Sequence, residues 1–306
     1  MELTYQYSKK WRFNFNYDKC AVVVFDNREQ EIKYGNCKNE CTCSFHWKLG
    51  ETLINQVRDY KYLGVELDCK LSMKEFKKRI VNKARRNVSR IWGMGMSSGS
   101  LSTKASINLF EALVRAIVEY GSEIIGEGEW EEVEKVQREM GRRILRCHGK
   151  TSIEVILGEL GWWKLKTRRE YNKIKYWFRI VLMEDDRLVK KVYHNSKKEY
   201  LTHRTSNWCK EVYKLLKKYN LTPLWKDEKL IQNPEELNQQ QNPNIDQLKT
   251  FWYNKLRKRI HEVEEQEWLE KVRRKPKLRT YRTFLQELQL EPYLTVEKKK
   301  EGRYLD

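Results

Sequence analysis

The chain has 306 residues, 40% of them hydrophobic and 34% charged, with a formal net charge of +19. That apolar share is enough for a core and argues against global disorder. No stretch is apolar for long enough to span a bilayer, the polar start Met1–Lys10 is not a signal peptide, and the seven scattered cysteines read as reduced thiols of the cytosol or nucleus. The charge surplus attracts polyanions, chiefly RNA or DNA backbone. Its company of 11 Trp and 17 Tyr favours nucleic acid over a basic protein with no dedicated partner, and no membrane partner is expected.

In chain order, Met1–Lys10 reads as the end of a helix. Trp11-Arg12-Phe13-Asn14-Phe15 alternates as a half-buried strand does, Asn16-Tyr17-Asp18 is turn chemistry, and Cys20–Phe25 is a short buried strand. Asp26–Thr42 is loop-like. Ser44–Leu49 and Thr52–Val57 predict a hairpin around Gly50-Glu51, and Tyr60–Leu67 another strand. The pattern then turns helical. Ser72 and Glu75 suggest a capping box, and Phe76, Ile80, Ala84, Val88 and Ile91 mark one helix face. Gly93–Ser102 ends this helix and Thr103 caps the next, with Phe110, Leu113, Ile117, Tyr120 and Ile124 on one face. Further helices are expected over Glu131–Cys147, Thr151–Asn195, Thr205–Tyr219, Ile245–Arg274 (stopped by Pro276) and Tyr281–Leu288. Gln232–Asn244 reads as an exposed loop.

Two strings carry a resemblance. The first is Trp11-x-Phe13-x-Phe15-Asn16-x-x-Lys19-Cys20 with the Val22–Phe25 strand. The second, about forty residues on, is Tyr60-Lys61-Tyr62-Leu63-Gly64-Val65. The ordered pair resembles the last two palm motifs, D and E, of non-LTR (LINE-type) retrotransposon reverse transcriptases. Tyr7-Ser8-Lys9-Lys10-Trp11 is similar to the lead into motif D, and Leu113–Glu123 to the helical thumb. Leu160-Gly161-Trp162, Trp177–Ile180, Lys277–Tyr281 and Glu291–Leu294 resemble the tail of such elements. The resemblance implies a mainly α-helical α+β fold. It would place a palm remnant at 1–70, a helical thumb at 71–150, and a basic helical C-terminal region at 151–306 with a loop near 232–244.

It also implies roles. Lys19 matches the motif D lysine, which supplies positive charge or a proton near the leaving pyrophosphate. Tyr60, Lys61, Tyr62, Leu63 and Gly64 match the primer grip, a hairpin that holds the primer end; an ordinary buried strand ending in a turn is compatible with this. The palm aspartates that hold two catalytic Mg2+ ions precede motif D in the family. Here the sole Asp-Asp pair is Asp185-Asp186, on the wrong side of motif E, and a solvated helix end is the better reading. The chain alone is therefore expected to be inactive and to carry no cofactor, with Mg2+ expected only for an intact family member.

Between Lys74 and Arg90 stand eight basic residues, Lys74, Lys77, Lys78, Arg79, Lys83, Arg85, Arg86 and Arg90, against the single acid Glu75. With one helix face apolar, this charge points outward, suited to phosphates without sequence preference; a merely solvated face is the bland alternative. The Trp residues at helical spacing in the second half, Trp162 and Trp163 among them, are expected mostly in the core, with base stacking as the alternative. Two functional alternatives remain: a structural protein that kept the fold without a nucleic-acid role, and a small zinc module at Cys37, Cys41, Cys43 and His46, whose spacing lacks a paired Cys-x2-Cys. Strand edges at Phe13–Phe15 and Val22–Phe25 predict self-association.

Overall fold

The computed structural model describes residues 1–25, 47–125, 128, 130–202, 207–234, 236, 243–284 and 287–295. The fold is mainly helical α+β and divides into two units, Met1–Ile80 and Val81–Asp306.

In the first unit, helix α1 (Glu2–Lys10) forms where a helix is expected, but the strand expected after it does not. The Phe13 N–H bonds to the Ser8 carbonyl at 3.1 Å and the Arg12 N–H to the Lys9 carbonyl at 3.3 Å. Arg12 takes φ 55°. This is a Schellman cap, in which the residues after a helix satisfy its last carbonyls. The backbone of Trp11–Phe13 is thus spent on closing α1, and the Trp11–Phe15 strand does not form. Its aromatics gather instead against α1: Phe13 meets Tyr7 and Phe15 edge-on at 6.2 and 5.3 Å.

Strand β1 (Ala21–Val22) pairs in parallel with β3 (Thr52–Gln56), which pairs antiparallel with β2 (Trp47–Leu49). The β2–β3 hairpin turns on Gly50-Glu51 as expected, in register Leu49↔Thr52. Gly50 has φ +64°, and a Cβ there would lie 2.6 Å from the Tyr5 ring, so the close approach of α1 requires glycine. The expected single strand Tyr60–Leu67 is a second hairpin, β4 (Asp59–Tyr62) and β5 (Val65–Asp68). Leu63 and Gly64 both have positive φ, 46° and 85°, the requirement of a type I′ turn, whose twist matches the strands.

Helix α2 (Lys74–Ile91) follows, and the division between the units falls within it. Its entry is organised by Asp68 rather than by a Ser72–Glu75 box. The Asp68 carboxylate accepts the N–H groups of Lys70, Ser72 and Met73 and the Ser72 hydroxyl at 2.7–3.2 Å.

In the second unit α2 passes into a π-helical turn, Trp92–Met96, which Gly95 breaks at φ 115°. Ser102, one residue before the expected Thr103, caps α3 (Thr103–Phe110) by accepting the Ala105 N–H at 3.2 Å. The helix continues through a π turn, Glu111–Arg115, into α4 (Ala116–Glu119). A π turn inserts one residue and rotates the inward face. Ile107, Phe110, Val114 and Val118 are therefore buried, while Tyr120 and Ile124 of the expected face are 50% and 60% exposed.

Helices α5 (Glu131–Leu145) and α6 (Ile153–Glu159) end in the same cap as α1, with Arg146 and Gly161 at the left-handed position. Then come α7 (Leu165–Val181), α8 (Leu188–Leu201), α9 (Asn207–Lys218), α10 (Thr222–Lys226), α11 (Lys229–Gln232), α12 (Ile245–Arg274) and α13 (Tyr281–Phe284). The main core joins Ile174–Leu182, Cys209–Tyr219, Trp225 and Ile231 to Leu248, Trp252, Leu256 and Ile260. A second core joins Trp268 and Val272 to Leu278 and Leu288.

Helix α12 serves both. Its buried residues are Leu248, Trp252, Leu256, Ile260, Glu264, Trp268 and Val272, a strict step of four. Four residues overrun one turn of 3.6 by about 40°. The buried stripe therefore winds around the helix and faces one core at its start and the other at its end. Glu264, between the two, bonds the Thr167 hydroxyl at 2.6 Å and the Lys164 ammonium at 2.9 Å.

Candidate nucleic-acid interface

Helix α2 presents its cations as two rows. Phe76, Ile80, Ala84, Val88 and Ile91 are buried, so the opposite faces carry Lys74, Lys78 and Arg85 on one side and Lys83, Arg86 and Arg90 on the other, all exposed. Glu75, Asn82 and Ser89, seven apart and hence stacked every two turns, form a strip between the rows. Among the described residues, none of these six cations has an ion-pair partner. Lys77 is half-buried.

Arg79 is engaged differently. Its guanidinium donates to the Gly64 carbonyl at 2.7 Å and pairs with Glu66 at 2.9 Å. The arginine thus ties the β4–β5 turn to the first turns of α2 and joins two groups that the sequence treats separately. A second link runs through Tyr60, whose hydroxyl donates to the backbone carbonyl of Lys19 at 2.5 Å. The Lys19 side chain is exposed. Tyr62 and Leu63 at the hairpin tip are 60% and 73% exposed.

Asp68 is the support that the sequence reading missed; an aspartate four residues before a serine at a helix entry is its signal. Slight burial works to raise its pKa, but the hydrogen bonds from Ser72, Lys70 and Met73 outweigh it and hold the carboxyl below its ordinary value of 3.8. The group stays ionised and keeps the entry to α2 fixed.

Asp185 and Asp186 lie in the turn between α7 and α8, and the Asp185 carboxylate pairs with the Lys190 ammonium at 2.7 Å. That pairing, and a helix–helix turn in place of a strand hairpin, do not fit a catalytic metal pair. Cys37, Cys41, Cys43 and His46 lie outside the described residues. Among the described residues, no helix is long and apolar enough to cross a membrane.

Over 144 residues, 47% of the chain, the sequence is 26% identical to the RNA-directed DNA polymerase from mobile element jockey of Drosophila melanogaster. The match spans 14% of that protein's length. No family model matches the chain, and no solved structure does. The jockey similarity supports a relationship to the reverse transcriptases of LINE-type retrotransposons.

Proposed function

We propose that the chain is a part of a non-LTR retrotransposon reverse transcriptase, covering the end of the palm, the thumb and the helical region beyond. It binds RNA and DNA backbone through α2 without sequence preference, and does not polymerise on its own. The β4–β5 hairpin acts as a primer grip beside α2, and Lys19 is the inherited motif D lysine. The site of action is the cytosol or nucleus. The observation that carries the reading is the cationic surface of α2, with six exposed lysines and arginines unneutralised among the described residues. The similarity to the jockey polymerase supports the ancestry.

A salt titration tests it. Each duplex phosphate neutralised adds about 0.9 to the slope of log affinity against log salt. The K83Q/R85Q/R86Q/R90Q variant is expected to lower that slope by up to about 3.6 on an RNA–DNA hybrid, against the unsubstituted chain. An unchanged slope sinks the role of α2. Robust template-dependent extension by this chain with magnesium or manganese sinks the inactive reading.

A further inference from the structure

In the helical unit, a cleft of about 670 Å³ opens between α3, the turn after α6, α7 and α12, a size typical of ligand sites. Its wall is aromatic. The Trp163 indole N–H donates to His261 Nδ1 at 3.1 Å, and the two rings stack with centroids 6.1 Å apart and planes inclined by 30°. Tyr171 meets Trp163 edge-on at 6.2 Å. The turn that presents Trp163 is fixed by Gly161 at φ +59°, where a Cβ would lie 2.3 Å from the Leu290 nitrogen.

The cations of the cleft fall into two kinds. Arg115 is held by Glu111 and Glu119, and Arg168 by Glu119. Arg257 and Lys258, exposed on α12, have no hydrogen-bond or ion-pair partner among the described residues. Among the described residues, the sole carboxylate lining the cleft, Glu111, is already committed to Arg115. An aromatic wall beside two uncommitted cations is the chemistry of unstacked bases joined by phosphates. A duplex hides its base faces and offers phosphates and base edges instead.

We propose that this cleft binds single-stranded nucleic acid, with a base against Trp163, Tyr171 and His261 and the flanking phosphates on Arg257 and Lys258. The proposal rests on the nucleic-acid reading above but uses a different surface from α2.

The test uses the full chain, a short labelled oligouridine and an RNA–DNA hybrid. The exposed double variant R257Q/K258Q is expected to lose about tenfold in affinity for oligouridine at low salt, and about 1.4 from its salt slope, given about 0.7 per single-strand phosphate. Its hybrid affinity is expected to change less than about twofold. With 5-iodouridine in the strand, photocrosslinks are expected at Trp163, Tyr171 or His261. Unchanged oligouridine binding, equal losses on both ligands, or crosslinks confined to other elements would overturn the cleft. If the α2 variant keeps its hybrid binding while R257Q/K258Q loses oligouridine, the α2 reading fails and the cleft stands.

Discussion

The two units of this protein are held together by different means. The first has short strands, two tight hairpins and a left-handed helix cap, and it leaves Tyr7 and Trp11 58% and 61% exposed. The second encloses Trp177, Phe178, Ile174 and Leu216 completely and satisfies the buried polar edges of its rings. The Trp177 indole donates to Tyr193, whose hydroxyl in turn donates to Glu228, at 2.9 and 2.6 Å. Tight turns dominate the first unit, and side-chain packing around buried aromatics dominates the second. Tyr7 and Trp11 of the first unit thus lie at the surface, whereas Trp177 and Phe178 of the second form its core.

The strongest challenge to this contrast is a pair of tryptophan truncations. Trp177→Ala should destabilise the helical unit by about 3–5 kcal/mol, whereas Trp11→Ala should change stability by about 0.5 kcal/mol or less. Urea unfolding followed by circular dichroism measures both, and equal effects would dissolve the distinction.

Glu264→Gln is next. Burial alone would raise the Glu264 pKa, but the Lys164 ammonium, the Thr167 hydroxyl and the Lys218 charge outweigh it, so the carboxyl lies below its ordinary value of 4.5. A depressed acid contributes stability that is full above the unfolded pKa and disappears as pH falls through the folded one. The substitution should cost roughly 1–2 kcal/mol at neutral pH, since Lys164 keeps Glu267 at 3.6 Å, and the gap to the unsubstituted protein should narrow below about pH 4.5. A gap that stays constant down to strong acid would mean that Glu264 is merely packed.

The smallest effect sharpens the description of the first unit. Leu63 holds a positive φ that costs a branched side chain about 1 kcal/mol and costs asparagine less. Leu63→Asn should therefore slow amide exchange in β4 and β5 by about fivefold. Faster exchange would show that the leucine side chain stabilises the turn.

Sequence periodicity located the helices well because burial alone sets it. Ile245–Arg274 was legible from its Trp252, Leu256 and Ile260 spacing and the following proline, and the Gly50-Glu51 hairpin from its turn residues. What escaped were backbone devices with no fixed side-chain signature. An arginine at the left-handed cap of α1 turned an alternating strand pattern into a helix terminus. A π turn at Glu111–Arg115 shifted the face read from Leu113 and Ile117 onto Val114 and Val118. The α2 cations were visible because they are contiguous. The pairing of Trp163 with His261 was not, because it joins positions nearly a hundred residues apart.

The winding stripe of α12 also governs the timing of assembly. The apolar face of α7 around Ile174–Val181 leaves the ribosome early, while its partners Leu248–Ile260 are still unmade. At about 5–20 residues per second, the roughly 80 residues between Ile174 and Leu256 take about 4–16 s to synthesise. Within that interval α8–α11 can already cover Trp177, while Phe178, which stacks on Trp252 with centroids 5.3 Å apart, lacks its cover and is a substrate for chaperones. A message ending before Ile245 would leave Phe178 without its Trp252 cover, so synthesis through α12 is the step that makes the polypeptide durable in the cell.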